Sequence, residues 1–140
     1  MSRPVKEAAY QRGVAAEQVA ARYLQRQGYK ILEQRYKTRV GEIDLIVRRG
    51  EMLVFVEVKA HKDPESALYA VTPRTRRRIE AAAGQYLADH EEVCGFSMRF
   101  DVIVVPPESL AESLKEKRNL LGADRERLLH HLDNAWLSGQ

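Results

Sequence analysis

Three charged residues inside two apolar runs carry the chemistry of this chain. Asp44 lies in Gly41-Glu42-Ile43-Asp44-Leu45-Ile46-Val47, and Glu57 and Lys59 lie in Leu53-Val54-Phe55-Val56-Glu57-Val58-Lys59. A buried charge without a partner is costly. Two carboxylates and an ammonium set among valines and isoleucines therefore call for something that compensates them, and a divalent cation is the simplest candidate. Carboxylate oxygens are hard ligands suited to Mg2+ or Mn2+, and the Val58 carbonyl offers a third oxygen. Such an ion would polarise a phosphoryl oxygen and lower the pKa of a bound water. Lys59 is placed to orient that water or to meet charge developing on a phosphate. The set is a kit for phosphodiester hydrolysis. The competing reading is an Asp/Glu/Lys ion-pair cluster, a poor stabilising device when buried.

Strands must hold these groups. Side chains alternate across a strand, so Glu57 and Lys59 share one face, about 6.5–7 Å apart along it. Glu42, Asp44 and Ile46 share a face of the preceding run. If the two runs pair through the short link Arg49-Gly50-Glu51, Asp44 can lie beside Glu57. Around this hairpin the pattern predicts a helix from about Lys6 to Gln27 stopped by Gly28, a strand over Ile31 to Tyr36, and a polar turn over Lys37 to Gly41. The two runs give strands Glu42 to Arg48 and Met52 to Ala60. His61 to Val71, containing Pro64, reads as a loop. Thr72-Pro73 opens a helix reaching about His90, burying Ile79, Ala82, Ala83, Tyr86 and Leu87. Ser97 to Val105 is a further strand, and Asp124 to Leu137 reads as a terminal amphipathic helix. The order implies an α/β sheet flanked by helices.

The chain has 140 residues, 44% hydrophobic and 31% charged, enough for one domain with a real core. Its single cysteine, Cys94, cannot form an internal disulfide, so a reducing cytoplasm is expected. No signal peptide is visible, and no apolar run approaches the roughly 20 residues needed to span a bilayer, so no membrane partner is expected. Charge is unevenly spread. Between Arg22 and Arg78 there are fourteen Lys/Arg against seven Asp/Glu, and beyond Pro106 five against six. The positive field thus surrounds the acidic residues, which fits an anionic polymer. Arg74, Arg76, Arg77 and Arg78 cluster in about one helical turn, where phosphate contacts would be salt-sensitive and sequence-independent; the alternative is a solvated helix face paired with carboxylates such as Glu80. No aromatic platform for stacked bases is evident. Zinc-ligand spacing and a glycine-rich phosphate loop are both absent.

An acidic residue followed on the next strand by Glu-x-Lys resembles the PD-(D/E)XK nuclease superfamily. The longer text, Gly13-x-x-Ala16-Glu17-x-x-Ala20-x-x-Tyr23-Leu24, Gly28-Tyr29, Gly41 to Ile46, Phe55 to Lys59 and Arg99-Phe100-Asp101-Val102, is similar to the YraN family, small bacterial proteins related in fold to archaeal Holliday-junction resolvases. The resemblance covers about residues 10 to 105, with a weaker echo over His131 to Ala135. It implies a restriction-endonuclease-like core with a central mixed sheet flanked by helices, in a single nuclease-like domain over 1–140 with a helical extension from about 108. Carried over, Asp44 and Glu57 take the metal-binding positions, Lys59 the catalytic lysine position, and Glu17 that of a helix glutamate approaching the metal; its alternative is a surface carboxylate. Glu42 reads as a strand-start residue paired with an arginine, and Asp101 as the ion-pair partner of Arg99. Three positions depart from the family pattern: Arg35 stands where asparagine is frequent, His61 where an arginine usually follows Glu-x-Lys, and Thr75 where a lysine is usual.

These readings lead to a divalent-metal-dependent nuclease using Mg2+ or Mn2+ on DNA rather than RNA, with structured or branched DNA favoured by the resemblance. The alternatives are a non-catalytic nucleic-acid-binding module of the same fold and a protein-interaction subunit with a structural acidic cluster. Resolvase relatives pair, so a homodimer is possible, with Trp136 or Leu137 at its interface or covering the sheet.

Overall fold

The computed structural model describes residues 3–110 and 129–138. They form a five-stranded mixed sheet with helices on both faces. Helix α1 spans Arg3–Arg26, and strands β1, β2 and β3 span Lys30–Lys37, Glu42–Arg49 and Met52–Ala60. Helices α2 (Pro64–Ala70) and α3 (Pro73–Asp89) follow, then a 3-10 turn over Glu91–Val93 and strands β4 (Ser97–Val105) and β5 (His130–Trp136). Strand order is the chain order, β1-β2-β3-β4-β5. All neighbours are antiparallel except β3 and β4; that parallel pair needs a crossover, which α2 and α3 supply.

Each face of the sheet carries its own core. On one, Ala16, Val19, Ala20 and Leu24 of α1 pack on Leu45, Val47, Val54, Val56, Ile103 and Val105. On the other, Ile79, Ala82, Ala83 and Tyr86 of α3 cover Ile46, Leu53, Phe55, Val102 and Val104. The central strands are apolar on both faces because both are covered, which makes the charges near their ends stand out. Helix α1 is closed off two residues past its end by Gly28, whose φ of +91° is open to glycine at little cost. There the Tyr29 N–H reaches back to the Leu24 carbonyl at 2.9 Å.

Two expected elements differ. The predicted loop from His61 to Val71 contains α2. Its Asp63 caps the helix by accepting from the Ser66 N–H at 3.1 Å, with Pro64 in the first turn. Proline lacks an N–H that the first turn does not use, so Asp63-Pro64 starts a helix much as Thr72-Pro73 starts α3. The predicted terminal helix is overturned over 130–136, which form β5; its residues 124–128 lie outside the described region, as does most of the expected helical extension. Residues 107–110 are helical. Leu132 and Trp136 are four apart, a spacing that suits either period. The free edge of β4 decides: Val102 pairs with Leu132 and Phe100 with Trp136, across a bulge where Asn134 takes φ +49°. Of the two places open to it, an interface or the sheet, Trp136 takes the sheet and is 3% accessible. It stacks on Phe100 at 5.0 Å between ring centroids, so of the two suggested interface residues only Leu137 is open.

Asp101 fastens this strand. Fully buried, it accepts from Arg99 Nε at 2.9 Å and from the Asn134 N–H at 2.9 Å, and lies 2.7 Å from His131 Nε2. His131 Nδ1 in turn lies 2.8 Å from the Tyr23 hydroxyl of α1. The expected Arg99–Asp101 ion pair is present, inside a larger network that ties α1, β4 and β5 together. Among the described residues, no helix is long and apolar enough to cross a membrane.

Candidate functional site

The β2–β3 ladder stops at Leu45 opposite Val56. Beyond that point β2 stays paired with β1 as far as Glu42, while β3 stays paired with β4 as far as Ala60. The two central strands therefore part, and the carboxylates sit where they part. Asp44 takes the place of the missing ladder: its Oδ2 accepts from the Val58 N–H at 2.7 Å, which satisfies a backbone donor and fixes the carboxyl. Lys59 Nζ lies 3.9 Å from Glu57 Oε2, with side chains 32% and 12% accessible. The predicted arrangement of Glu57 and Lys59 on one face, with Asp44 reaching them from the next strand, is the observed one.

The electrostatics are those of a site short of positive charge. Burial, then a hydrogen bond and repulsion from Glu57, push the Asp44 pKa up to about 8, against the pull of the Val58 N–H and Lys59. The shift favours the protonated form of Asp44, and a cation beside it would relieve the same repulsion. Among the described residues, no three His, Cys, Asp or Glu side chains gather closely enough to form a ligand set by themselves. Magnesium does not require one, since it commonly uses one or two carboxylates and completes its shell with waters and substrate phosphates. The donor set of Asp44 and Glu57 fits that habit.

Glu17 stands beside this pair but is already engaged. Its Oε2 accepts from Arg35 Nε at 2.8 Å, and its side chain is 17% accessible, so it is not a surface carboxylate. Burial pushes its pKa up; the Arg35 bond pulls it down, and nearby Asp44 raises it again. Arg35 has φ +53°, a left-handed backbone costly for a residue with a long side chain. Glycine and asparagine adopt it more easily than arginine. The arginine here uses that strained position to hold Glu17 and, through Nη1, the Tyr10 hydroxyl at 2.8 Å.

Two clefts flank the carboxylates. One, on the α1 side, is lined by Tyr10, Glu17, Arg35, Lys37, Glu42 and Asp44. The other, toward α3, is lined by Glu42, Glu57, Lys59, Thr75, Arg78 and Ile79. Glu42 borders both and makes no ion pair with a described residue, so the expected arginine partner is not found. Helix α3 is set against this region through Gly41, where a Cβ would fall 1.9 Å from the Arg78 carbonyl oxygen. Only a residue without a side chain lets the start of β2 come so close to the helix backbone.

The four arginines of α3 divide. Arg78 borders the Glu57–Lys59 cleft, and Arg74 and Arg77 are exposed. Arg76 is turned to structural use: its Nε donates to the Val71 carbonyl at 3.0 Å, and its guanidinium lies 5.5 Å from the Trp136 ring centroid. Sequence reading overlooked Tyr10 and the role of Arg35. Tyr10 precedes Glu17 by seven residues, two helical turns, which places both on one stripe of α1; that spacing was the available signal. His61 lies outside both clefts and accepts the Asp63 N–H at 3.0 Å.

Residues 16–105 match the model of the uncharacterised protein family UPF0102. A UPF0102 protein of Rhodopseudomonas palustris is 49% identical over 107 residues, covering 76% of this chain and 82% of that protein. One from Bradyrhizobium diazoefficiens is 48% identical over 107 residues, 76% and 80% of the two chains. One from Brucella canis is 48% identical over 105 residues, 75% and 83%. The matched region runs from the second half of α1 through β4 and holds Glu17, Asp44, Glu57 and Lys59, and the chain belongs to this bacterial family, UPF0102 or YraN.

Proposed function

We propose that this protein is a divalent-metal-dependent nuclease with a PD-(D/E)XK-like core that hydrolyses DNA phosphodiesters, structured or branched DNA foremost. The observation that carries the reading is the gathering of Asp44, Glu57 and Lys59 where β2 and β3 part. A bound Mg2+ or Mn2+ would offset the carboxylate charge and polarise a phosphoryl oxygen. Asp44 and Glu57 are the residues that would hold it. The Val58 N–H keeps Asp44 in one orientation, so little freedom is left to lose on binding. Lys59 presents an ammonium at the mouth of the cleft, within reach of an anionic oxygen or an attacking water. Arg78 and the Thr75 hydroxyl border the same cleft and suit a phosphate. Exposed Arg74 and Arg77 extend that surface along α3 for sequence-independent backbone contacts. Glu17, held by Arg35, adds a third carboxylate close to Asp44.

A cleavage panel of branched, single-stranded and duplex DNA with Mg2+ or Mn2+ tests the reading. Cutting is expected, and Lys59→Ala is expected to abolish it while junction binding stays within roughly two-fold, because one phosphate contact among several is lost. Binding without cutting across the panel overturns catalysis in favour of a binding module. Calorimetry showing neither metal nor nucleic-acid binding leaves the acidic cluster as a structural feature.

A further inference from the structure

The geometry points to a binding site for an unpaired nucleobase in the α1-side cleft, with Tyr10 as its stacking surface; the inference rests on the nuclease reading and narrows its substrate to single-stranded, flapped or frayed nucleic acid. Tyr10 is 62% accessible, yet its ring is not loose. Arg35 donates to its hydroxyl at 2.8 Å and sets its guanidinium carbon 5.0 Å from the ring centroid. Glu17, two turns along the same helix, holds that guanidinium from its other side at 2.8 Å. An aromatic side chain that is open to solvent and already ordered has little conformational entropy left to lose when a flat ligand stacks on it.

The place of this platform sets the ligand. The cleft has a volume of about 240 Å³ and runs from Tyr10 past Arg35 and Lys37 to Asp44. Its neighbour across Glu42 offers Lys59, Thr75 and Arg78 but no aromatic ring. One cleft thus supplies cations and a hydroxyl for a phosphate, and the other supplies a ring backed by a guanidinium, with the carboxylates between. In this arrangement a base on Tyr10 and a phosphate of the same strand near Lys59 would lie on either side of the carboxylates. Aromatic faces take any base, since every base has a π-face. A base inside an intact duplex is stacked and paired, so its face is not available without unpairing. The site therefore selects for nucleotides already unpaired, which forks, flaps and frayed ends provide.

Fluorescence anisotropy tests this, with Ca2+ replacing Mg2+ to hold back cutting, using a labelled oligothymidylate and a blunt duplex of equal length. The wild type is expected to bind the single strand more tightly. Tyr10→Ala should weaken single-strand binding about ten-fold, the scale of one lost base stack, and change duplex binding by less than about two-fold. Tyr10→Phe, which keeps the ring, should retain the preference. A 2-aminopurine placed in the oligothymidylate should be quenched by the wild type and not by Tyr10→Ala. If Tyr10→Ala leaves single-strand binding unchanged, or weakens both forms alike, the nucleobase site is refuted while the nuclease reading stands. If the wild type binds neither form, the nucleobase site is refuted, and the cleavage panel with branched DNA decides the nuclease reading.

Discussion

Replacing Asp44 by asparagine should make the metal-free protein more stable, by an amount that depends on pH. Burial and the Glu57 carboxylate raise the Asp44 pKa from 3.8 to about 8. In the unfolded chain the group ionises near 3.8, so between these values folding must take up a proton. The stability tied to protonated Asp44 is complete below about pH 3.8 and is lost progressively as the pH rises to about 8. For an independent group each unit is worth about 1.4 kcal/mol, giving on the order of 5 kcal/mol near pH 7.5 as an upper bound. Solvent reaches the parted strand ends and screens the repulsion, which reduces the expected cost to ~2 kcal/mol. Asparagine reproduces the protonated form without needing a proton: its amide oxygen can accept from the Val58 N–H and its amide nitrogen can donate to Glu57. In urea melts at about pH 7.5, Asp44→Asn should exceed the wild type by ~2 kcal/mol, with the gap closing near pH 4. Excess Mg2+ or Mn2+ should stabilise the wild type by mass action and leave the variant where it was. A variant that is less stable near pH 7.5, or whose gain is the same from pH 4 to 8, would refute the reasoning.

Two further perturbations test the frame that carries the site. Gly41→Ala places a Cβ 1.9 Å from the Arg78 carbonyl oxygen and 2.6 Å from its carbon, both helix backbone, so α3 or the start of β2 must move. A loss of ~2–3 kcal/mol is expected in urea melts, and a variant that unfolds with the wild type would show that the approach is not tight. Burial raises the Asp101 pKa, but His131, Arg99 and the Asn134 N–H outweigh it and hold the group below its ordinary 3.8. Its contribution is present above that value and is lost as the pH falls through the lowered pKa. Asp101→Asn should therefore cost ~3 kcal/mol at neutral pH by leaving Arg99 without its anionic partner, and the difference should shrink in acid. A penalty that stays constant down to about pH 3 argues against an ionised Asp101.

The site was legible in the sequence because strand alternation is a local rule. Glu57 and Lys59 are two residues apart on one strand, so their shared face follows from the backbone period alone. Asp44 needed the register of the next strand, and the short link at Gly50, with its φ of +60°, made that register guessable. Helix starts were as local, though Pro64 was read as a breaker when Asp63 before it makes it a first-turn residue. The last strand was not legible. Leu132 and Trp136 satisfy a helical period and a strand period equally, and what recruits them is Asp101, some thirty residues earlier.

Local chemistry thus determined which residues bear charge, which strands carry them and which face they share, because these depend on neighbours within a few positions. Only the tertiary structure decided that β2 and β3 part beyond Leu45 and Val56, that Arg35 claims Glu17 and orders Tyr10, and that Arg76 lies against Trp136. Those outcomes join side chains 18, 25 and 60 positions apart in the chain. At such distances the partner is set by how the layers pack, and no period in the sequence records it.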